Sequence, residues 1–479
     1  MFQRLKECKT LKEIFSIIGT KPFEIAAFWI VLAWCAWPMV SIAQRIYWTL
    51  NAENGLQHQF AITSGYRYSM CVMGYISVYV AVFFLISRLC VYGKQVWKKI
   101  KAEPWHFLLL AMLLWSCIST LQAEDVKFAY EGDEYLFDGL RSYFFYAAVY
   151  VCSFIVIKHS SKWKLLNVFN IVANIISVII ILVDYTDIQF LEDCFPSKLS
   201  AVFFHFNHAG YYINMGILCA MGLYLYEKRR SLRIWYGFSM ALQVYGILVN
   251  STLGSFIGTC CALVMILIMF VRKHSKFAWR MVTPVIVVVV MVIASYFGYV
   301  PTSSGEDMKA NFDLLFDNGE AIASGTDAAM EAGHGRVKLW TQSLKMIPAR
   351  PIFGYGPEHL DDFYSQEMWV LRPDNELIQH AVFLGVPACL FYIFALLGLF
   401  LHQWKHMKQL DRTALIGAGC VIAYFVSSVF GVTAFYTTPF FYLFLGMAAG
   451  RPMMEEAQKA ETELAKEEAP AEEVTISAE

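Results

Sequence analysis

The sequence predicts an all-α protein that crosses a membrane many times, and three observations predict this class. Of its 479 residues, 58% are hydrophobic and only 16% are charged, which is too apolar for a soluble domain of this length. Apolar runs of about 20 residues, enough for a helix to cross a bilayer core of about 30 Å, recur almost to the C-terminus. These runs are continuously apolar, whereas the strands of a membrane β-barrel alternate apolar and polar residues.

We expect about twelve transmembrane helices, nine within residues 23–300 and three within residues 376–450. Residues 301–375 form a large loop with helical character between spans nine and ten. The spans correspond to the apolar runs 25–48, 66–90, 105–122, 137–157, 165–183, 201–226, 232–249, 252–271, 279–300, 376–401, 413–430 and 433–450.

The connections between these runs alternate in charge, which predicts the orientation of the chain. Clusters of lysine and arginine occur at residues 88–101, 158–164, 228–233, 272–280 and 405–412. By the positive-inside rule these connections face the cytoplasm. The intervening connections, including the large loop, are acidic or neutral and are expected on the outer side. Both ends of the chain are then cytoplasmic.

The two ends of the sequence differ in composition from the spans. Residues 1–22 carry acidic residues, and no small-residue cleavage site follows a short apolar run, so we interpret them as a retained cytoplasmic segment. Residues 451–479 are rich in Glu, Lys and Ala without a hydrophobic pattern. This composition is typical of a disordered, solvated spacer, and a partner-binding tail is the alternative.

Several classes of protein are excluded or disfavoured by the sequence. The chain has no P-loop, so an ATP-driven pump would need a separate subunit. Its twelve cysteines show neither a disulfide framework nor the spacing of a metal site. The net charge of −1 is uninformative as a total, because membrane proteins distribute their charges by side. We predict no metal, no cofactor and no nucleic-acid partner.

The polar stretch from Gly333 to Gly385 interrupts this apolar sequence, and we expect the chemistry there. Long loops that do more than connect are usually functional. Apolar residues recur at helical spacing from Arg336 to Ile347, which predicts an amphipathic helix against the membrane domain, ended by prolines at 348 and 351. The turn PIFGYG follows, and RPDNE then leads into the tenth span.

The motifs of this stretch resemble those of the O-antigen ligase and O-antigen polymerase family. They read G-x-G-R-x-x-x-W, then P-x-F-G-Y-G, then N-E-x-x-Q-x-x-x-x-x-G-x-P, over about 55 residues. The segments FFHFNHAGYYINMG in span six and STLGSFIG at the start of span eight are weaker similarities. A twelve-span layout with a large loop before the tenth span also matches the family.

The resemblance implies a glycosyltransferase of the bacterial cytoplasmic (inner) membrane. Such an enzyme takes a glycan from a polyprenyl-pyrophosphate carrier and transfers it to an acceptor hydroxyl at the outer face. It uses no nucleotide sugar and requires no metal. The expected partners are the lipid-linked glycan donor, a glycan or lipid-glycan acceptor, and the lipid bilayer.

The leaving pyrophosphate requires cationic donors, and Arg336 is the first candidate. The planar guanidinium of arginine binds phosphate oxygens in a bidentate manner. Glycines at 333 and 335 would let the start of the following helix approach a phosphate, so that the helix dipole adds positive potential. The alternative is a surface arginine that extends from the membrane interface.

The acceptor hydroxyl requires a general base, and Asp374 is the candidate. In the family a histidine usually stands immediately before the Asn-Glu pair, where this chain has Asp374. Burial next to lipid would raise the pKa of this carboxyl and make it a better base. The alternative is an N-cap for the tenth span. The substitute bases are His334, His359 and His380, each with a structural role as its alternative.

Further site residues follow from the same resemblance. Glu376 is placed with the catalytic groups, and Asn375 and Gln379 are expected to orient the substrates. The family has an arginine after serine at the start of span eight, where this chain has Leu253. Arg372 or Arg141 can supply the missing charge. The remaining candidates are Asn207 and His208, polar residues of span six whose alternative role is hydrogen bonding within the bundle.

Two other functions stay open from the sequence. A transporter or flippase of lipid-linked glycans also fits twelve spans, although no matching pair of broken spans and no symmetric loops are visible. A non-catalytic glycan-binding relative is compatible with the departures at Asp374 and Leu253. The sequence does not identify the acceptor, the sugars or the anomeric outcome of the reaction.

Overall fold

The computed structural model describes residues 8–51, 55–93, 95–96, 101, 103–157, 159–196, 199–272, 278–297, 335–360, 364, 372–407 and 410–450. Within these ranges the regular secondary structure is helical and contains no strand. The all-α prediction is therefore confirmed for the described part of the chain. Much of the large loop, including Gly333 and His334, and the charged tail lie outside the described residues.

The first part of the chain forms ten helices up to residue 250. They are α1 (Leu11–Ile18), α2 (Lys21–Asn51), α3 (Gly55–Tyr92), α4 (Pro104–Leu121), α5 (Val126–Glu131), α6 (Leu140–Val156), α7 (Lys162–Tyr185), α8 (Gln189–Cys194), α9 (Phe206–Tyr226) and α10 (Arg230–Asn250).

The second part forms seven more helices within the described ranges. They are α11 (Leu253–Arg272), α12 (Val282–Tyr296), α13 (Arg336–Met346), α14 (Glu376–Phe383), α15 (Val386–Lys405), α16 (Arg412–Ser428) and α17 (Thr438–Gly450). Short 3₁₀ turns, Ala278–Met281 and Ile347–Ala349, precede α12 and follow α13.

Helix lies within each of the twelve apolar runs of the sequence. Seven helices of the described chain, α2, α3, α4, α7, α10, α11 and α15, are long and apolar enough to cross a membrane. Four shorter apolar helices lie in the regions of α6, α12, α16 and α17. The protein is thus a multi-pass helical membrane protein, while the count of twelve and the sidedness stay predictions.

The bundle is centred on α9, which is buried along nearly its whole length. It packs against α7, α10, α11 and α16. Close approach depends on small residues, because a Cβ added to Gly216 would lie 2.4 Å from the Cβ of Ala173 on α7. Without a hydrophobic drive inside lipid, such close helix contacts are the main source of association.

The predicted amphipathic helix after residue 335 is confirmed as α13, and it packs against α14. Leu339 faces the protein and is buried, and the helix passes into the 3₁₀ turn that contains Pro348. Leu344, which the pattern placed on the apolar face, is instead 50% exposed.

The tenth apolar run differs from the expected single helix, because it breaks at Leu384 and Gly385 between α14 and α15. The PIFGYG turn binds this break through its backbone. Tyr355 and Gly356 donate their N–H groups to the carbonyls of Val382 and Phe383 at 3.1 and 2.8 Å. In lipid a helix break must have its free backbone groups satisfied by the protein, and the turn supplies this.

We predict that Gly354→Ala destabilises the protein, because Gly354 has φ +66° and an added Cβ would lie 2.4 Å from the carbonyl oxygen of Phe383. A left-handed backbone alone costs an alanine about 1 kcal/mol, and the clash adds to it. The midpoint of thermal unfolding in detergent measures the effect. Gly398→Ala is the matched control, because its nearest neighbour would be 4.0 Å away. Equal midpoints for the two variants would contradict the prediction.

Candidate functional site

The structure brings Arg336 and Asp374 together at the start of α13 and ahead of α14. The Nε of Arg336 lies 3.7 Å from Oδ2 of Asp374, and the side chains are 28% and 17% exposed. Gly335, at φ +78°, turns the chain into α13, and Asp374 itself has φ +52°. The Nε of Arg336 is buried without a hydrogen-bond partner in the described part of the chain. The pair is therefore an ion pair whose cation still has hydrogen-bonding capacity.

The environment of Asp374 alters its acidity. Burial raises the pKa of Asp374 to about 6, although the positive charge of Arg336 acts in the opposite direction. A carboxyl with a pKa near 6 is a far better proton acceptor near neutral pH than an ordinary aspartate. The structure thus places a weakly acidic carboxyl beside a cation.

The N-cap of α14 is Asn375, so the alternative that made Asp374 the cap is wrong. The Oδ1 of Asn375 accepts hydrogen bonds from the N–H groups of Leu377 and Ile378 at 3.0 and 3.1 Å. Its Nδ2 donates to the carbonyl of Val429 at 3.0 Å. Asn375 thereby ties the start of α14 to the end of α16, and the Asp374 side chain is left available for other contacts.

Glu376 and Gln379 lie on the buried face of α14. The hydroxyl of Ser428 donates to Oε2 of Glu376 at 2.5 Å, and His380 Nε2 is 3.9 Å from Oε1 of the same carboxyl. Gln379 donates to Asp138 at 3.3 Å and accepts from the Thr433 hydroxyl at 3.4 Å. These residues form a polar layer inside the bundle.

Arg372 is fully buried and joins three separate segments. Its guanidinium donates to Oδ2 of Asp138 at 2.8 Å, to the carbonyl of Thr433 at 2.6 Å and to the carboxylate of Glu358. Glu358 also accepts a hydrogen bond from the N–H of Asp133 at 2.6 Å. The Arg372 guanidinium, which the sequence offered as a source of the missing positive charge, is therefore engaged within the protein.

A small internal cavity of about 10 Å³ lies beside this cluster. Its polar lining includes Asp138, Glu376, Gln379 and His380, together with tyrosines at 143, 146 and 442. This volume has room for about one water molecule and none for a sugar. Both ring nitrogens of His380 are buried without a hydrogen-bond partner among the described residues, and such groups suit a bound water.

Two other predicted residues, Arg141 and His359, contact residues other than Arg336 and Asp374. Arg141, in the first turn of α6, donates to the carbonyl of Glu131 at 3.1 Å. The Nε2 of His359 is 3.9 Å from a carboxylate oxygen of Glu124. Asn207 is buried at the start of α9, and its Nδ2 has no hydrogen-bond partner in the described ranges.

Sequence reasoning missed the residues that hold Arg372 in place. Asp138 and Glu358 come from loops far apart in the chain, and Thr433 contributes only a backbone carbonyl. One signal was available for Asp138, which stands in the apolar sequence EYLFDGLRSYFF. A carboxylate at the start of an apolar span is costly unless a cation is paired with it.

The fold and the site define a class of protein. It is a multi-pass helical membrane protein that has the Arg336–Asp374 pair and, near it, a buried polar cluster. Residues 238–393, about a third of the chain, match the family model described as O-antigen ligase. This segment is therefore similar to the O-antigen ligase family, which confirms the resemblance drawn from the motifs. It begins within α10, ends within α15, and includes both members of the Arg336–Asp374 pair.

No curated protein matches the chain in sequence. The family match accordingly supports a glycosyltransferase-like membrane protein and leaves its donor and acceptor to be proposed from the site.

We predict that Arg372→Met lowers the free energy of unfolding by about 3–5 kcal/mol, because it leaves the buried carboxylates of Asp138 and Glu358 without their cation. Arg350→Met is the control, since its partner Glu124 is 70% exposed and such pairs contribute about 0–1 kcal/mol. Thermal unfolding in detergent measures both. Restoration of stability by Asp138→Asn in the Arg372→Met background would support the cause, and equal losses for Arg372→Met and Arg350→Met would contradict it.

Proposed function

We propose that the protein transfers a glycan from a polyprenyl-pyrophosphate carrier to an acceptor hydroxyl at the outer face of the bacterial cytoplasmic membrane. The observation that carries this proposal is the Arg336–Asp374 pair, a cation and a weakly acidic carboxyl within the segment that is similar to the O-antigen ligase family. The reaction needs one group for a phosphate leaving group and one for a proton. The pair provides both.

Arg336 binds the pyrophosphate of the donor in this proposal. Its Nε has no hydrogen-bond partner in the described chain, and it is the first residue of the eleven-residue helix α13. The free N–H groups and positive end of that helix add to the guanidinium. As the bond between the sugar and the pyrophosphate breaks, negative charge develops on the leaving oxygen, and Arg336 stabilises that charge.

Asp374 accepts the proton of the acceptor hydroxyl as the new glycosidic bond forms. When Arg336 turns to the pyrophosphate, Asp374 loses the cation that lowers its pKa, so the carboxylate becomes a stronger base. Donor binding thus prepares the base for the second substrate. The products are the extended or ligated glycan, polyprenyl pyrophosphate and a protonated Asp374, which returns its proton to water.

The first residues of α14 and its N-cap position this pair, through Asn375, Glu376 and Gln379. The cap at Asn375 fixes the start of α14, and Glu376 and Gln379 hold α14 to α16 and to Asp138. We propose that Arg372 acts in the same way, as a positioning residue in place of the substrate-binding role predicted from the sequence. Arg141, His359 and Asn207 stay candidates for contacts with the glycan chains.

The broken helix between α14 and α15 is the feature that favours the rival function, because transporters place ion sites at broken helices. Here, however, the carbonyls of Val382 and Phe383 at the break accept hydrogen bonds from the PIFGYG turn. These two carbonyls are therefore less available to an ion than the carbonyls of a helix break that accept no hydrogen bond. Movement of lipid-linked glycan across proteoliposomes without a change in chain length would favour the rival.

We predict that Arg336→Ala and Asp374→Asn each lower turnover by about 10²–10⁴-fold, the range for loss of an electrostatic or general-base group. Asp374→Glu should retain part of the activity. Lys338→Ala, an exposed cation on the same helix, should turn over normally. The assay follows release of polyprenyl pyrophosphate, with donor extracted from cells that lack this protein. Normal turnover by the Arg336 and Asp374 variants would exclude these roles.

We also predict that kcat/KM rises with pH through about 6, because this ratio reports the ionisation of the free enzyme, in which Arg336 is still paired with Asp374. The base works only when it is ionised, and the ionised fraction of Asp374 increases as the pH passes its pKa of about 6. Steady-state rates from pH 4.5 to 8 measure the profile. The residual activity of Asp374→Asn should lack this rise, and a rise that persists unchanged in that variant would assign the ionisation to another group.

A further inference from the structure

A large apolar groove lies between α3, α4 and α6, and at one end it reaches Tyr143 and Tyr442, which also line the small cavity of the candidate site. Its volume is about 400 Å³, and its walls are mostly aliphatic and aromatic. It extends along α6 from Tyr143 to Ile155, which corresponds to about 18 Å at the rise of an α-helix. That length is close to the depth of one leaflet, about half of a 30 Å bilayer core. The groove therefore has the dimensions of a site for a lipid chain.

Polar side chains occur at one end of this groove, which we call the groove mouth. There α2 and α4 begin and α3 and α6 end, and the mouth is lined by Thr20, Glu24, Arg88, Gln95 and His106. The ring contact between Phe23 and Phe84, with centroids 5.8 Å apart, brings the start of α2 against the last turns of α3. A cation and an anion, Arg88 and Glu24, thus lie at the same end.

Arg88 is held in place yet keeps a free donor. Its guanidinium carbon lies 5.4 Å from the ring centre of Phe84 and 5.1 Å from that of Tyr92. Its Nε is buried and has no hydrogen-bond partner within the described ranges. Such a group at the edge of an apolar groove is suited to a phosphate oxygen.

His106 does not compete for the same ligand. Its Nε2 lies 3.0 Å from Oε2 of Glu103, and its Nδ1 lies 2.8 Å from the hydroxyl of Tyr150. Both ring nitrogens are therefore occupied by the protein. Arg88 and Glu24 are left as the charged side chains of the mouth that can contact a ligand.

The groove mouth lies at the opposite end of α6 from the segment that contacts Arg372. Asp138, two residues before α6, contacts Arg372 near the pair, whereas the mouth is at the far end of α6. The seventeen residues of α6 span about 25 Å. A polyprenyl donor whose pyrophosphate is at Arg336 cannot place that pyrophosphate at Arg88.

We propose that the groove binds one acyl chain of a zwitterionic glycerophospholipid that carries a primary ammonium, taken from the leaflet opposite the candidate site. Arg88 binds the lipid phosphate, and Glu24 accepts a hydrogen bond from the ammonium. The charge pattern selects this class, because an anionic headgroup would bring a negative charge next to Glu24. The bound chain fills the space between α3, α4 and α6.

Native mass spectrometry of the full chain in detergent tests the proposal, with phosphatidylethanolamine, phosphatidylcholine and phosphatidylglycerol as probes. We expect phosphatidylethanolamine to be retained best, since phosphatidylcholine has no N–H for Glu24 and phosphatidylglycerol is anionic. Arg88→Gln should reduce retention of all three by about fivefold or more, a loss of about 1 kcal/mol. Glu24→Gln should remove the preference for phosphatidylethanolamine over phosphatidylglycerol.

Two matched pairs of variants separate this site from general lipid adhesion. Leu110→Trp fills the groove, and Leu114→Trp lies on the same helix at an exposed position outside the lining, so only the first should lose the lipid. Arg230→Gln, which removes an exposed cation elsewhere, is the control for Arg88→Gln.

Equal retention by the Leu110 and Leu114 variants, or no preference among the three lipids, would overturn the proposal. Displacement of the phospholipid by equimolar polyprenyl phosphate would also overturn it, by assigning the groove to the donor. If Arg88→Gln does not fold, as judged by size-exclusion chromatography, the Glu24 and Leu110 variants decide the question.

Discussion

The buried guanidinium of Arg372 is the interaction on which the rest of the site depends. It connects the loop before α6, the loop that carries Glu358 and the segment before α17, three parts of the chain that are distant in sequence. Two carboxylates around one cation leave a net negative cluster, so hydrogen bonds from Gln379 and from the backbone of Asp133 are required to satisfy the remaining oxygens. Removal of Arg372 leaves both carboxylates without their cation in a water-poor interior. The segment from residue 372 to 376 is fixed by this cluster.

Arg372 and Arg336 differ in exposure and in hydrogen bonding, and this difference is the reason for their different proposed roles. Both arginines have a buried Nε without a hydrogen-bond partner in the described chain. They differ in their surroundings, because Arg372 has no exposure and its two terminal nitrogens donate to three protein acceptors, whereas Arg336 is partly exposed. A group that is already satisfied gains little from a substrate phosphate, because binding would first break its existing hydrogen bonds. A group with unused donors gains the full interaction. The same reasoning supports the proposal that Arg88 binds a ligand at the groove mouth.

Much of the fold followed from the sequence, because span length and apolar composition are imposed directly by the bilayer. The helix after Arg336 was also predictable from its period and its prolines. The break at Leu384 and Gly385 was not, because the run stays apolar across it and only the docked PIFGYG turn makes a break tolerable. For the site, the motifs identified Arg336 and Asp374. The pairing of Arg372 with Asp138 joins positions 234 residues apart, which no local pattern encodes.

The helix break also bears on how the protein enters the membrane. Helix α15 is hydrophobic enough to partition into lipid on its own during synthesis, whereas α14 has only eight residues and carries Glu376, Gln379 and His380. Such a segment gains little from lipid, and its place depends on polar partners supplied by α6 and α16. Those partners are complete only after α16 has been synthesised. The polar layer therefore cannot be complete before α16 and the segment with Thr433 have been synthesised.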